Sequence, residues 1–128
     1  MIDAQRVDFI AVPVQDRKRA ARFYEDTLGL RRNPNSTDTW VELETGNATL
    51  VVMTPHTHDS EFAPLPPGTI ALRVPDVAAA KATLEAAGAE VNDMWDSGVC
   101  HGAGFSDPHG NRILLHRRYA PYPDGSQS

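Results

Sequence analysis

The chemistry available to this chain rests on few side chains: five histidines (His56, His58, His101, His109 and His116) and one cysteine, Cys100. Imidazole nitrogens and thiolates can ligate metals, carry protons or attack as nucleophiles. Cys100 directly precedes His101, which invites a nucleophile–base pair. Neighbours on an extended strand point to opposite faces, however, so the two cannot meet there. A buried small thiol is the expectation for Cys100. His56 and His58 alternate in Pro55-His56-Thr57-His58-Asp59, a spacing that could clamp a metal in a strand, but the stretch is proline-rich and reads as a solvated loop. His101, His116 and Glu42 form a second candidate set for zinc; a hydrogen-bonded pocket histidine is the alternative for each imidazole. His109 sits inside an Asp-Pro-x-Gly turn and is expected to be exposed.

Other candidates are recognition residues. Thr39-Trp40-Val41-Glu42-Leu43 places Trp40 and Glu42 on one strand face, where Trp40 serves equally as core or as pocket wall. Arg73 can orient a polar ligand atom or pair with a neighbouring strand. Trp95, in Asp93-Met94-Trp95-Asp96, lies between carboxylates and suits stacking against a planar or cationic group. The Gly-rich run Gly98–Gly104 falls in a predicted strand and does not open a helix, so it is no phosphate loop. Its small residues would let a ligand or a second subunit approach the backbone.

The elements that must position these residues repeat. Ile10-Ala11-Val12-Pro13-Val14-Gln15-Asp16 lines up with Ile70-Ala71-Leu72-Arg73-Val74-Pro75-Asp76, and each run ends in an aspartate that opens an Ala-rich helix. Ala20, Phe23, Tyr24 and Leu28 recur at helical spacing before Gly29; Val77, Ala80, Leu84 and Ala87 do so before Gly88. Strands are predicted at Thr39–Glu44, Ala48–Thr54, Val99–Ser106 and Asn111–Arg117, with short ones at Leu30–Arg32 and Glu90–Asn92. The unit is therefore β-α-β-β-β, twice: about 7–54 and 68–118, joined by a linker at 55–67 and followed by a frayed tail at 119–128, all within one domain of 128 residues. A net charge of −5 disfavours a nucleic-acid binder. One cysteine allows no intrachain disulfide or thiolate cluster, so a reducing cytoplasm is expected. No window approaches the roughly 18 apolar residues of a membrane span, and the opening residues lack the order of a signal peptide.

A doubled β-α-β-β-β unit with these phrases resembles the vicinal oxygen chelate superfamily, which includes glyoxalase I, extradiol dioxygenases, fosfomycin resistance enzymes and bleomycin-binding proteins. The resemblance runs from about Val7 to Arg117. Its most specific piece is Phe105-Ser106-Asp107-Pro108-His109-Gly110-Asn111-Arg112-Ile113, similar to the family's F-x-D-P-x-G-N-x-I hairpin. Val7–Val14, Phe23-Tyr24 and Leu28-Gly29-Leu30 resemble the family's first strand and helix end.

That resemblance implies an α+β fold in which two tandem modules form an eight-stranded cup with helices packed outside. It also implies where a divalent metal would sit in metal-using relatives, and this chain departs there: Phe9, Val51, Thr69 and Leu114 occupy the four positions, so no metal and no cofactor are expected. Phe9, Trp40, Val51, Met53 and Leu114 would supply an apolar pocket surface. Glu42, Thr69, Arg73, His101 and His116, with Trp95 at the rim, would orient a ligand. The expected function is metal-independent binding of a drug or metabolite, aromatic or cationic, by a homodimer. The alternatives are a lyase, isomerase or dioxygenase with a displaced metal site, an acid–base enzyme using His116 and Glu42, or a vestigial regulatory module.

Overall fold

The computed structural model describes residues 1–54 and 62–125; the His56/His58 pair and most of the expected linker lie outside the described residues. The chain divides into two units, Met1–Pro64 and Leu65–Ser128. In the first, β1 (Ile10–Pro13) leads into α1 (Arg17–Arg22), followed by β2 (Arg31–Arg32), β3 (Val41–Glu44) and β4 (Thr49–Met53). In the second, β5 (Ala71–Arg73) leads into α2 (Val77–Ala86), then β6 (Trp95–Asp96), β7 (Cys100–Ser106) and β8 (Arg112–Arg118). The sheet orders are β1-β4-β3-β2 and β5-β8-β7-β6, and the first strand of each is parallel to the last. The duplicated α+β unit is thus real. The eight strands form two open four-stranded sheets, one in each unit.

Local chemistry explains the repeat. Asp16 caps α1 by accepting from the Arg19 N–H at 3.1 Å, and Asp76 caps α2 by accepting from Ala79 at 3.1 Å. The first helix continues through a π turn, Phe23–Thr27, in which the Leu28 N–H donates to the Phe23 carbonyl. Gly29 and Gly88 then take the left-handed conformation that stops each helix (φ 74° and 89°). Period two divides each sheet face from face. Val12, Val41, Leu43, Leu50 and Val52 are buried on one side of the first sheet, with Ala20, Ala21 and Tyr24 of its helix also buried. Ala103, Phe105, Ile113 and Leu115 are buried in the second, with Val77 and Leu84 of α2. Each such aliphatic side chain contributes about 1.5–3 kcal/mol when taken from water.

The Asp107–Asn111 hairpin is a structural clamp. The fully buried Asn111 and the nearly buried Asp107 bind each other, with Asn111 Nδ2 donating to Asp107 Oδ2 at 2.8 Å. Asp107 Oδ1 also accepts the His109 and Asn111 N–H groups. Asn111 Oδ1 takes the Leu65 N–H at 2.7 Å, fastening the start of the unit to its last hairpin. His109, expected to be exposed, is half-buried.

One short strand differs from expectation. Glu90–Asn92 touches β7 through a single bridge, Val91 to Phe105, and the strand proper forms at Trp95–Asp96, with Trp95 opposite Gly102. Four residue steps on one strand thus oppose three on the other. The extra residue swings Trp95 onto the face opposite Val91, as a bulge does.

Candidate functional site

In the first unit the sheet face away from the buried core carries a cross-strand row, Ala11–Val51–Glu42, with Met53 opposite Pro13 on the same side. Val51 is fully buried, whereas Met53 and Glu42 are half-buried. Just ahead of β1, Phe9 packs edge-to-face on Trp40 (centroids 5.4 Å apart, 85° between planes) and leaves 45% of its own surface exposed. Glu44, on the same face, accepts from Asn33 Nδ2 and the Thr49 hydroxyl. These two hydrogen bonds, helped by Arg31, hold its carboxyl below the usual range.

In the second unit one row crosses all four strands: Arg73 on β5, His116 on β8, Gly102 on β7 and Trp95 on β6. Trp95 reaches back over this row. A Cβ on Gly102 would lie 2.1 Å from its Cζ2 atom, and its ring centroid is 6.4 Å from that of His116. The next row holds Ala71, Leu114 and Gly104, with the Arg112 guanidinium over the bare Gly104 backbone and donating to the Ser106 hydroxyl at 2.7 Å. Ala71, Arg73 and Trp95 are exposed, and Leu114 and His116 half-buried. Thr69, at the edge, is exposed and donates its hydroxyl to the Pro66 carbonyl at 3.0 Å.

Three expectations are corrected here. His101 does not pair with His116: its register partner is Arg117, which puts it on the opposite sheet face, the one that carries Ala103, Phe105 and Leu115. There Asp96 joins His101 Nε2 at 3.3 Å and accepts the Tyr119 hydroxyl at 2.8 Å, while the His101 and Tyr119 rings stack with centroids 4.6 Å apart. The Gly98 N–H and the Tyr119 hydroxyl hold the Asp96 carboxyl low, and the bond to Asp96 raises Tyr119. Second, Asp96 does not flank Trp95 on its own face: it is turned to the other side, and along the row the ring neighbours of Trp95 are His116 and, beyond it, Arg73. Third, Cys100 is half-buried, not a core thiol.

The bare backbone at Gly102 and Gly104 is filled by Trp95 and Arg112 of the chain itself. Two glycines at alternate positions on one strand face were the readable signal for this; the identity of what covers them needed the register. Among the described residues no three His, Cys, Asp or Glu side chains gather as a metal site, and no helix is long and apolar enough to cross a membrane.

The family model described as Glyoxalase/Bleomycin resistance protein/Dioxygenase superfamily matches residues 6–115. Solved structures are similar over nearly the whole chain. An antibiotic binding protein, TnmS3 from Streptomyces sp. CB03234, shares 27% identity, with a TM-score of 0.73 over 92% of this chain and 99% of that one. A glyoxalase/bleomycin resistance protein from the same Streptomyces shares 30% identity, with a TM-score of 0.65 over 84% of this chain and 96% of that one. Lactoylglutathione lyase from Agrobacterium tumefaciens, at 20% identity and a TM-score of 0.67 over 88% and 93%, shares the fold. No curated protein matches the chain.

Proposed function

The chain belongs to the Glyoxalase/Bleomycin resistance protein/Dioxygenase superfamily, and from that premise we propose that it binds a small organic molecule without a metal. The two modules, 7–54 and 68–118, work as one domain in this reading. The observation that carries it is the core-free face of the second sheet, where apolar Ala71 and Leu114 and the aromatic Trp95 lie beside the polar ends of Arg73 and His116. An apolar surface with a few placed polar groups is the general recipe for small-molecule recognition. Phe9, Trp40, Met53 and Glu42 offer the same combination on the first sheet. The likeness to an antibiotic binding protein supports binding of a drug or metabolite; in this reading the protein sequesters it in the cytoplasm, as a homodimer by family analogy.

The superfamily's metal-using members need oxygen or nitrogen donors, and the residues at the corresponding positions do not fit that need. Phe9 presents a hydrocarbon ring packed on Trp40, Val51 is fully buried hydrocarbon, Leu114 has no lone pair, and the Thr69 hydroxyl is engaged with Pro66. A site rebuilt from His101 and His116 loses its pair, because the two lie on opposite faces.

The test combines elemental analysis with a thermal-shift screen of aromatic natural products and drugs on chelator-treated protein. A binder at a hundredfold excess over its dissociation constant stabilises by about 2.7 kcal/mol. Hits that persist in chelator are expected. One tightly held metal per chain, or a library without a single hit, contradicts the reading.

A further inference from the structure

We propose that the open face of the second sheet selects an anionic aromatic ligand, a planar ring bearing a carboxylate, sulfonate or phenolate. The inference rests on the small-molecule-binding reading above and names its substrate class. Net charge points the other way, since the chain carries −5 overall. The local charge on this face is the opposite. By register, Arg73, Arg112, His116 and Arg118 all project from it, and no Asp or Glu of β5, β6, β7 or β8 shares it. The carboxylate beside it is Glu90, which neighbours the Val91–Phe105 bridge at the Ser106–Arg112 end, far along β7 from the Arg73–His116–Gly102–Trp95 row. Among the described residues none of the three arginines is in an ion pair with a carboxylate.

Their engagement differs. Arg112 is tied to Ser106, and Arg118 to the Pro121 carbonyl and the Tyr122 ring, 4.1 Å from its guanidinium carbon. Arg73 is exposed and stands directly opposite His116. Two basic side chains facing each other across neighbouring strands repel when both are charged. An anion bound between them is met by the Arg73 guanidinium, whose fork matches an oxyanion in two places at once, and by an imidazole N–H of His116. Trp95, 43% exposed and in the same row, provides the flat surface for the ring. The ring and its charge thus have separate receptors at the two ends of one row, Arg73–His116–Gly102–Trp95.

The experiment titrates the full chain with three naphthalenes that differ in one substituent: naphthalenesulfonate, naphthalenemethanol and naphthylmethylammonium. The sulfonate is expected to bind about tenfold tighter than the alcohol, the size of one charge-assisted hydrogen bond, and the ammonium weakest. Raising the salt concentration narrows the gap. In Arg73→Gln the sulfonate-to-alcohol ratio falls to about one, whereas Arg117→Gln, which removes a charge from the opposite face of the same sheet, keeps it. Equal binding of sulfonate and alcohol, a preference for the ammonium, or a ratio unchanged in Arg73→Gln overturns the inference and leaves the small-molecule reading standing. No binding of any naphthalene, together with an empty library screen, overturns both.

Discussion

Replacing Gly102 with alanine tests how the open face of the second sheet is built. The new methyl would lie 2.1, 2.4 and 2.8 Å from three atoms of the Trp95 ring, far inside contact distance. The backbone at Gly102 is paired on both sides, to His116 and Trp95, so the indole must move and not the strand. Trp95 is 43% exposed, so a little over half of its surface is covered in the native fold. Returning about 100 Å² of that to water costs roughly 2.5 kcal/mol at about 25 cal/mol per Å². Alanine in a strand recovers about 0.5–1 kcal/mol relative to glycine. The net expectation is a loss of about 1.5–2 kcal/mol, read by urea denaturation. In a Trp40→Phe background, Trp95 emission should shift to the red as the ring enters water. A double-mutant cycle with Trp95→Ala should show that most of the cost of Gly102→Ala disappears once the indole is gone. A Gly102→Ala protein as stable as its parent, with unchanged emission, would refute the claim that Trp95 is seated on this glycine.

Other outcomes follow from the same geometry. Asp107→Ala strands the N–H groups of His109 and Asn111 and the Asn111 amide, and should cost about 3 kcal/mol or more in chemical denaturation. Asp76→Ala removes the N-cap of α2 and should cost about 1 kcal/mol. The carboxyls of Asp96 and Glu44 are held low, so the stability they confer is full above the ordinary carboxylate range and is lost as pH falls through their lowered values. Tyr119 is raised, so its contribution is full below the ordinary tyrosine range and is lost as pH rises through the raised value. Asp96→Asn should therefore let Tyr119 ionise earlier in an alkaline titration followed by tyrosinate absorbance.

What the sequence discloses and what it hides divide along local and non-local physics. The repeat is legible because its markers are local: an N-cap aspartate, a helix stripe and a terminal glycine, at Asp16 and Gly29 and again at Asp76 and Gly88. Period two sorts Ile113 and Leu115 from Leu114 and His116 without any partner strand in view. The position of β6 is not legible, because the extra residue between Val91 and Trp95 becomes visible only against β7. The same gap hides the face of His101, since its side follows from pairing with Arg117 sixteen residues away in sequence. Glycine spacing at positions 102 and 104 marks a close approach, but nothing local says that Trp95 and Arg112 make it. Overall charge does not report on a single face: Arg73, Arg112, His116 and Arg118 share one side of the second sheet and His101 and Arg117 the other, a division that follows from register.

A two-dimensional NMR titration of chelator-treated, isotopically labelled protein with an aromatic hit tests the central claim most directly. The account predicts saturable shifts at the Trp95 indole N–H and at the amides of Gly102, Leu114 and Arg73, with the Asp96–His101–Tyr119 cluster on the opposite face left in place. Shifts confined to that cluster, or shifts that arise only after a stoichiometric divalent metal is restored, would contradict it.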